Sequence, residues 1–256
     1  MESEIYKRLK LKYLPAAILF TREKPIGAME YAEGSSGCTV AMLTATVKGR
    51  QAVFSRSNYG CWAAGIGLGF VNHQGIPDNF IYVMSTGKKE EEACQNTGEL
   101  EIEGGAFKKT PELAKTVLDV LPFTDIPYQY VVFKLLTEVD LSKEEPKVIV
   151  FYANPDQLSA LVLLANYGRP GANNVIIPFG AGCQSICLLP LHEATQDRPR
   201  AVVGMTDITA RPAIDADLLT FSVPYALFRE MEDNVPGSFL DKPAWQKVAA
   251  RIPDRG

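Results

Sequence analysis

Three of the five cysteines in this chain directly follow a glycine, at Cys38, Cys61 and Cys183. Each glycine–cysteine pair opens a run of small and apolar residues, which is typical of a tight turn that leads into a helix. A thiol at a helix start faces unpaired backbone N–H groups and the positive end of the helix dipole, and both favour the thiolate. Because the thiolate binds metals and attacks electrophiles, the three cysteines are candidates for a metal site or a nucleophilic site.

A fourth cysteine extends the set of candidate metal ligands. Cys187 lies four residues after Cys183, so an α-helix would place both on one face. With Cys38 and Cys61 this makes four thiolates, which suits zinc or an iron–sulfur cluster. The first three alone would leave one iron of a four-iron cluster open to a substrate. The alternative is that these cysteines are small buried hydrophobic residues, and the sequence lacks the compact cysteine pairs that mark a strong metal motif.

Other polar residues near these turns are candidates with ordinary alternatives. Arg56 and Asn58 precede the second glycine–cysteine pair, where they could reach an anionic ligand or belong to a surface loop. Asp207 and Arg211 could form an ion pair or the rim of a pocket. The fifth cysteine, Cys94, lies in a strongly charged segment and is predicted to be incidental.

Two further patterns have structural explanations. The glycines of residues 65–69, GIGLG, differ from the dinucleotide-binding pattern in spacing and in context, so they predict close helix packing. His192 and Glu193 could act as an acid–base pair, although an exposed helix end explains them as well.

The composition is that of a globular protein, and it argues against some classes of function. The chain has 256 residues, of which 46% are hydrophobic and 22% charged, with a net charge of −4. A strongly basic face is therefore not expected, and nucleic-acid binding is not predicted. No apolar run reaches the ~20 residues of a membrane helix, and no secretory signal is visible, so we expect no membrane partner. Cytoplasm is the predicted compartment, and an odd number of cysteines argues against a closed disulfide framework.

Strands and helices are mixed along the chain without strict alternation, which predicts an α+β fold with a mixed β-sheet and surrounding helices. Strands are predicted at residues 16–20, 51–55, 130–136, 148–152, 175–179, 201–205 and 218–223. Helices are predicted at residues 2–10, after each glycine–cysteine pair, and at Thr110, Asn154, Pro224 and Trp245. No linker divides the sequence, so residues 1–256 are predicted to form a single domain with a polar tail at 233–256.

Several short motifs follow one another in a recognisable order. They are an apolar strand after Leu14, Cys38, Cys61 with a Gly/Ala-rich stretch, an apolar strand running into Asn154, and Cys183. In this order the chain resembles the uncharacterised family called domain of unknown function 169, found largely in anaerobic bacteria and in archaea. The resemblance covers about residues 14–228. It implies a site around Cys38, Cys61 and Cys183, with a weaker correspondence at Cys187, and an anaerobic setting that suits an oxygen-sensitive cluster.

These observations leave three functions open. The first is a cytoplasmic protein with an iron–sulfur cluster, or alternatively zinc, on Cys38, Cys61 and Cys183, which transfers electrons or binds a small substrate at an open iron. The second is a non-enzymatic module that binds a small molecule and has structural buried cysteines. The third is a thiol enzyme with Cys61 or Cys183 as the nucleophile. The partner would be a small molecule or a redox protein, and the sequence leaves open a homo-oligomer.

Overall fold

The computed structural model describes residues 2–32, 35–71, 80–87, 104–124 and 126–253. The chain divides into two units, the larger formed by Met1–Phe70 with Thr124–Gly256 and the smaller by Val71–Phe123. Cys94 lies outside the described residues. The prediction that one domain holds the whole chain stays a prediction.

The described part of the larger unit contains an open, mixed sheet of seven strands. They are β1 (Ala16–Thr21), β2 (Ala52–Ser55), β3 (Tyr130–Leu135), β4 (Val148–Ala153), β5 (Val175–Ile176), β6 (Ala201–Gly204) and β7 (Leu219–Pro224). The strands lie in the order β2-β3-β1-β4-β7-β6-β5. Neighbouring strands are antiparallel, except that β5 and β6 are parallel. The predicted α+β fold with a mixed sheet is therefore confirmed.

Helices surround this sheet, and two more lie in the described part of the smaller unit. They are α1 (Glu4–Leu9), α2 (Thr39–Val47), α3 (Trp62–Gly67), α4 (Phe80–Met84), α5 (Pro111–Asp119), α6 (Pro155–Tyr167), α7 (Leu189–Glu193), α8 (Tyr225–Asp233) and α9 (Pro243–Ala249). Of these, α4 and α5 belong to the smaller unit. A π-helical turn, Gln184–Leu188, directly precedes α7. Across the described ranges, no helix has both the length and the apolar character needed to cross a membrane.

The two faces of the sheet have different neighbours, because successive side chains of a strand point to opposite faces. One face carries Phe151 of β4 and Phe221 of β7, and it packs with residues of α1, α6, α8 and α9 to form the main core. The centroids of the Phe151 ring and of the Phe228 ring in α8 lie 6.0 Å apart. On the other face, the hydroxyl groups of Tyr152 in β4 and Thr44 in α2 share a hydrogen bond of 3.0 Å. Helix α2 therefore covers the face opposite the main core.

The start of α6 shows how the sequence dictates a local structure. The side-chain oxygen of Asn154 accepts a hydrogen bond from the backbone N–H of Gln157, whose own side-chain oxygen accepts one from the N–H of Asn154, each 2.9 Å long. Pro155 takes the first helical position, where its lack of an N–H costs nothing. The side-chain nitrogen of Gln157 also donates to the backbone oxygens of Leu9 and Lys10 at the end of α1. One capping box thus starts α6 and ties α1 to it.

Proline explains the clearest difference from the predicted strands. The strand predicted at residues 175–179 ends at Ile176, and only its first two residues pair with β6. Pro178 follows two residues later and has no N–H to donate to a ladder. Ile177 is 65% exposed, as expected for a segment that leaves the edge of the sheet.

The cap of α6 gives a prediction about stability. We expect Asn154→Ala to lower the free energy of unfolding by about 1 kcal/mol, because it leaves the N–H of Gln157 without its acceptor. The measurement is urea unfolding followed by circular dichroism. Ser159→Ala is the matched control, since Ser159 lies on the same helix and only donates to the backbone oxygen of Pro155. Equal losses in both variants would contradict the importance of the capping box.

Candidate metal centre

The three glycine-preceded cysteines lie at the starts of three helical segments. Cys38 is the N-cap of α2 and Cys61 is the N-cap of α3, and neither side chain makes a capping hydrogen bond. Cys183 directly precedes the π-helical turn and already has helical backbone angles. Cys38 and Cys61 are exposed, whereas Cys183 is only 6% exposed. Two thiols therefore lie on surface turns and the third comes from the interior.

All three cysteines line one pocket of about 320 Å³, called here the cysteine pocket. Small residues such as Ala63 and Ala181 form part of its wall. The structure thus brings three distant segments of the sequence to one place. Among the described residues that line the pocket, Asp207 carries the only carboxylate and no Lys, Arg or His is present.

The three glycines before these cysteines have two different roles. Gly60 has a φ of +92°, in the left-handed region that favours glycine. A Cβ atom on Gly37 would lie 2.2 Å from the ring of Tyr31, and one on Gly182 would lie 2.7 Å from a methyl group of Val40. The predicted turn-forming backbone therefore applies to Gly60, while Gly37 and Gly182 permit a close approach.

The Gly-rich stretch packs closely against a neighbouring segment, as predicted, and that segment carries Cys183. A Cβ atom on Gly67 of α3 would lie 2.9 Å from the Sγ atom of Cys183 and equally close to its Cβ and carbonyl carbon. The thiol of Cys183 donates a hydrogen bond of 3.0 Å to the backbone oxygen of Ala63 in the same helix. Cys183 is therefore held against α3, the helix that begins after Cys61.

Cys187 occupies a different environment from the other three candidates. It is fully buried and is not among the described residues that line the cysteine pocket. Cys183 and Cys187 are connected by a π-helical turn, so the alignment expected for an α-helix does not apply to them. The role of Cys187 as a fourth metal ligand stays a prediction.

Burial governs the pKa values of the two interior thiols. It raises the pKa of Cys183 well above the ordinary value, and negative charge on Cys61, Cys38 and Asp207 raises it further. Burial also raises the pKa of Cys187. The thiolate stabilisation expected at a helix start is therefore wrong for Cys183, because the loss of solvent outweighs the nearby N–H groups.

The carboxylate of Asp207 in the cysteine pocket is engaged in local hydrogen bonds. Asp207 accepts bonds from the backbone N–H of Gly182, at 3.0 Å, and from the hydroxyl of Thr209, at 2.6 Å. This carboxylate therefore orders the segment that leads into Cys183.

Within the described ranges, no group of three or more Cys, His, Asp or Glu side chains is arranged to hold a metal ion.

The polar residues before Cys61 hold its loop in place through hydrogen bonds to backbone oxygens. Arg56 donates to the backbone oxygens of Phe70 and Ile126, at 3.0 and 2.6 Å. Asn58 donates to the backbone oxygen of Tyr31. These contacts favour the surface-loop interpretation over binding of an anion.

The remaining candidates also have structural partners. Glu193 is buried, so the exposed-helix-end interpretation is wrong for it, and an ion pair of 2.6 Å between its Oε1 and Nη2 of Arg200 compensates its charge. Arg211 donates to the backbone oxygens of Leu218 and Ala216, so its contacts hold a loop. Asp207 lies at the pocket, in agreement with the rim interpretation.

Sequence reasoning missed two residues beside the pocket. The ring of Tyr31 lies against Gly37 and near Gly60, a contact that depends on the tertiary fold and leaves no local pattern. Thr39 lines the pocket and directly follows Cys38, so its position at the start of the predicted helix was an available signal.

Comparison with known proteins places this α+β chain in a family. The model of the family called domain of unknown function 169, described as an uncharacterised ArCR, matches residues 4–234. The chain belongs to this family, as the order of its motifs indicated. A search of curated proteins found no match, and a search of solved structures found none either.

The contact between Gly67 and Cys183 predicts a substitution effect of unusual sign. An exposed helical glycine replaced by alanine usually stabilises a protein by roughly 0.5–1 kcal/mol. We expect Gly67→Ala to destabilise by about 1–3 kcal/mol instead, because the new methyl group would overlap Cys183. Gly168→Ala is the control, since the three atoms nearest to its Cβ would belong to the end of the flexible Asn234 side chain rather than to backbone. Stabilisation by Gly67→Ala in urea unfolding would contradict the packing.

The raised pKa values of Cys183 and Cys187 predict a pH dependence of the metal-free protein. The folded state retains both protons, whereas the unfolded state loses them near the ordinary thiol pKa of ~8.5. The contribution of the two neutral thiols to the free energy of unfolding is therefore fully present below this pH. Above it, the free energy of unfolding falls by about 1.4 kcal/mol per pH unit for each thiol.

The measurement is urea unfolding from pH 7 to pH 9.5 with a reductant present, below the ordinary tyrosine pKa of ~10. The double variant Cys183→Ser with Cys187→Ser should show a flatter profile, because serine does not ionise in this range. An unchanged slope in that variant would contradict the prediction.

Proposed function

We propose that Cys38, Cys61 and Cys183 bind a metal centre, with an iron–sulfur cluster as the first choice and zinc as the alternative. The observation that supports this proposal is the convergence of the three cysteines on one pocket. Cysteine thiolates are the ligands that hold iron–sulfur clusters and many zinc ions. Membership of the family names no activity, so the proposal rests on the pocket itself.

The charges of the cysteine pocket favour a cationic occupant. Ionised thiols would stand beside the carboxylate of Asp207, and no described Lys, Arg or His lines the pocket to offset them. Burial raises the pKa of Cys183, and ionisation of Cys61 and Cys38 would raise it further. A bound metal reverses this effect, because a coordinated thiol loses its proton even where burial alone would keep it.

Metal binding requires the thiols to turn toward one another. Cys183 must release the backbone oxygen of Ala63, while Cys38 and Cys61 make no capping bond that would have to be broken. A rotation about one side-chain bond moves each sulfur between staggered positions. We favour a four-iron cluster over a single zinc ion, because no three described Cys, His, Asp or Glu side chains are arranged to hold one ion and a cluster spans a greater distance between its ligands.

A cluster with three cysteine ligands would have one iron available for another group. Cys187 would fill that position only after a rearrangement, since it lies away from the pocket wall. The proposed activity is therefore electron transfer, or binding of a small substrate at the open iron, in a cytoplasm that keeps thiols reduced. A redox protein or a small molecule would be the partner.

Thiol chemistry at Cys61 is the second candidate function. Cys61 is exposed, whereas Cys183 is buried and its pKa is raised, so Cys61 is the better placed of the two candidate nucleophiles. The third candidate is binding of a small molecule without metal or covalent chemistry in the same pocket.

Replacement of single cysteines tests the proposed metal centre. In protein purified without oxygen, Cys61→Ser should remove the bound metal, because a serine hydroxyl is a poor ligand for these metals. Cys94→Ser should leave metal content unchanged, and Cys187→Ser should do the same if three cysteines suffice. The measurements are iron, zinc and acid-labile sulfide content, together with visible absorbance.

The same preparation separates the candidates. Wild-type protein without stoichiometric metal would contradict the metal centre. Selective alkylation of Cys61 with loss of a measurable activity would then favour the thiol enzyme. A small molecule that binds the metal-free protein reversibly and unchanged, and that no longer binds once Cys61 in the pocket wall is alkylated, would favour the binding module.

A further inference from the structure

Two buried hydroxyl groups beside the cysteine pocket have no acceptor. The hydroxyl oxygens of Tyr31 and Thr39 are shielded from solvent, and neither has a hydrogen-bond partner among the described residues. Buried polar groups in folded proteins are almost always hydrogen-bonded, so each exception needs a physical explanation. Both hydroxyl groups belong to residues near the proposed metal ligands. A single cause could therefore explain why both groups have no hydrogen-bond partner.

The ring of Tyr31 lies between the two surface turns that carry exposed thiols. A Cβ atom on Gly37 would lie 2.8 Å from the ring carbon that bears the hydroxyl, and one on Gly60 would lie 2.8 Å from another ring atom. The hydroxyl is thus close to the residues that follow these glycines. A tyrosine hydroxyl has an ordinary pKa of ~10, so it is protonated near neutral pH and can donate a hydrogen bond.

Thr39 is the first residue of α2, is 1% exposed and lines the cysteine pocket. A threonine inside a helix commonly donates to the backbone oxygen four residues earlier, as Thr46 does to Met42 at 2.9 Å. At the first helical position that oxygen lies outside the helix, so this internal acceptor is lost. The hydroxyl of Thr39 therefore depends on an acceptor elsewhere, and Thr39 is one of the residues that line the pocket.

We infer that the hydroxyl groups of Tyr31 and Thr39 donate hydrogen bonds to the sulfur atoms of a metal centre in the cysteine pocket. The inference rests on the function proposed above. The acceptors are the ligating sulfurs of Cys38 and Cys61 or the sulfide of a cluster. These sulfur atoms carry negative charge and can accept hydrogen bonds. Such bonds satisfy both hydroxyl groups and stabilise the more negative, reduced form of a cluster.

The unpartnered hydroxyl groups of β7 provide a matched control. Thr220 and Ser222 are fully buried and also have no partner among the described residues. Neither belongs to the described wall of the cysteine pocket. Removal of the hydroxyl of Thr220 therefore reproduces the general effect of deleting a buried hydroxyl group without acting on the metal centre.

The test compares Tyr31→Phe and Thr39→Val with wild type and Thr220→Val, all purified without oxygen. Each substitution removes a hydroxyl and nearly preserves the shape of the side chain. For a cluster, we expect each pocket variant to lower the equilibrium constant for reduction by about tenfold, which is about 59 mV for one electron. Redox titration followed by visible absorbance measures this shift, and metal content should stay constant. For zinc, chelator competition should show affinity lower by roughly 10–100-fold.

The outcomes separate this inference from the proposed function. Wild-type protein without metal overturns the proposed function, and the inference falls with it. Loaded protein whose potential or zinc affinity is the same in Tyr31→Phe, Thr39→Val and Thr220→Val overturns the inference alone. Thermal unfolding of the metal-free variants checks folding, and a shift in one pocket variant but not the other assigns the donor to that residue.

Discussion

Close approach of backbone segments is the constraint on which the cysteine pocket depends. The Cα atom of Gly60 lies so near the backbone oxygen of Gly37 that a Cβ would be only 2.6 Å away, and Gly67 leaves similarly little room beside Cys183. Protein interiors are packed as densely as organic crystals, so contacts of this kind fix relative positions to a fraction of an ångström. The missing side chains permit the three sulfur-bearing segments to approach closely, and polar bonds such as the one from Cys183 to the backbone oxygen of Ala63 hold them there.

The pocket lies between two environments of different polarity. Cys183 belongs to the interior, where burial favours the neutral thiol, while Cys38 and Cys61 are in contact with solvent. An occupant would thus be shielded on one side and accessible on the other. Partial exposure of this kind is one of the means by which a protein sets the potential of a metal centre and admits a partner to it.

Local patterns predicted most of the sheet and helices, but little of the pocket's physical chemistry. The apolar run at residues 148–152 became β4, and Asn154 with Pro155 started α6, because these signals act between near neighbours in the chain. The burial of Cys183 and the position of Tyr31 depend on contacts between distant segments, which no short pattern records. The π-helical turn after Cys183 was likewise not predicted, since its sequence is also typical of an ordinary apolar α-helix.

The order of the segments along the chain has a consequence for the timing of assembly. Gly67 is synthesised long before Cys183, and the π-helical turn after Cys183 packs on β6, where a Cβ on Gly204 would lie 2.2 Å from Ser185. Strand β6 in turn pairs with β7, which joins the sheet through β4. The described wall of the pocket extends to Ala210, so it is incomplete on a nascent chain until the ribosome has passed that residue. A metal held by all three cysteines therefore binds only after this segment has been synthesised.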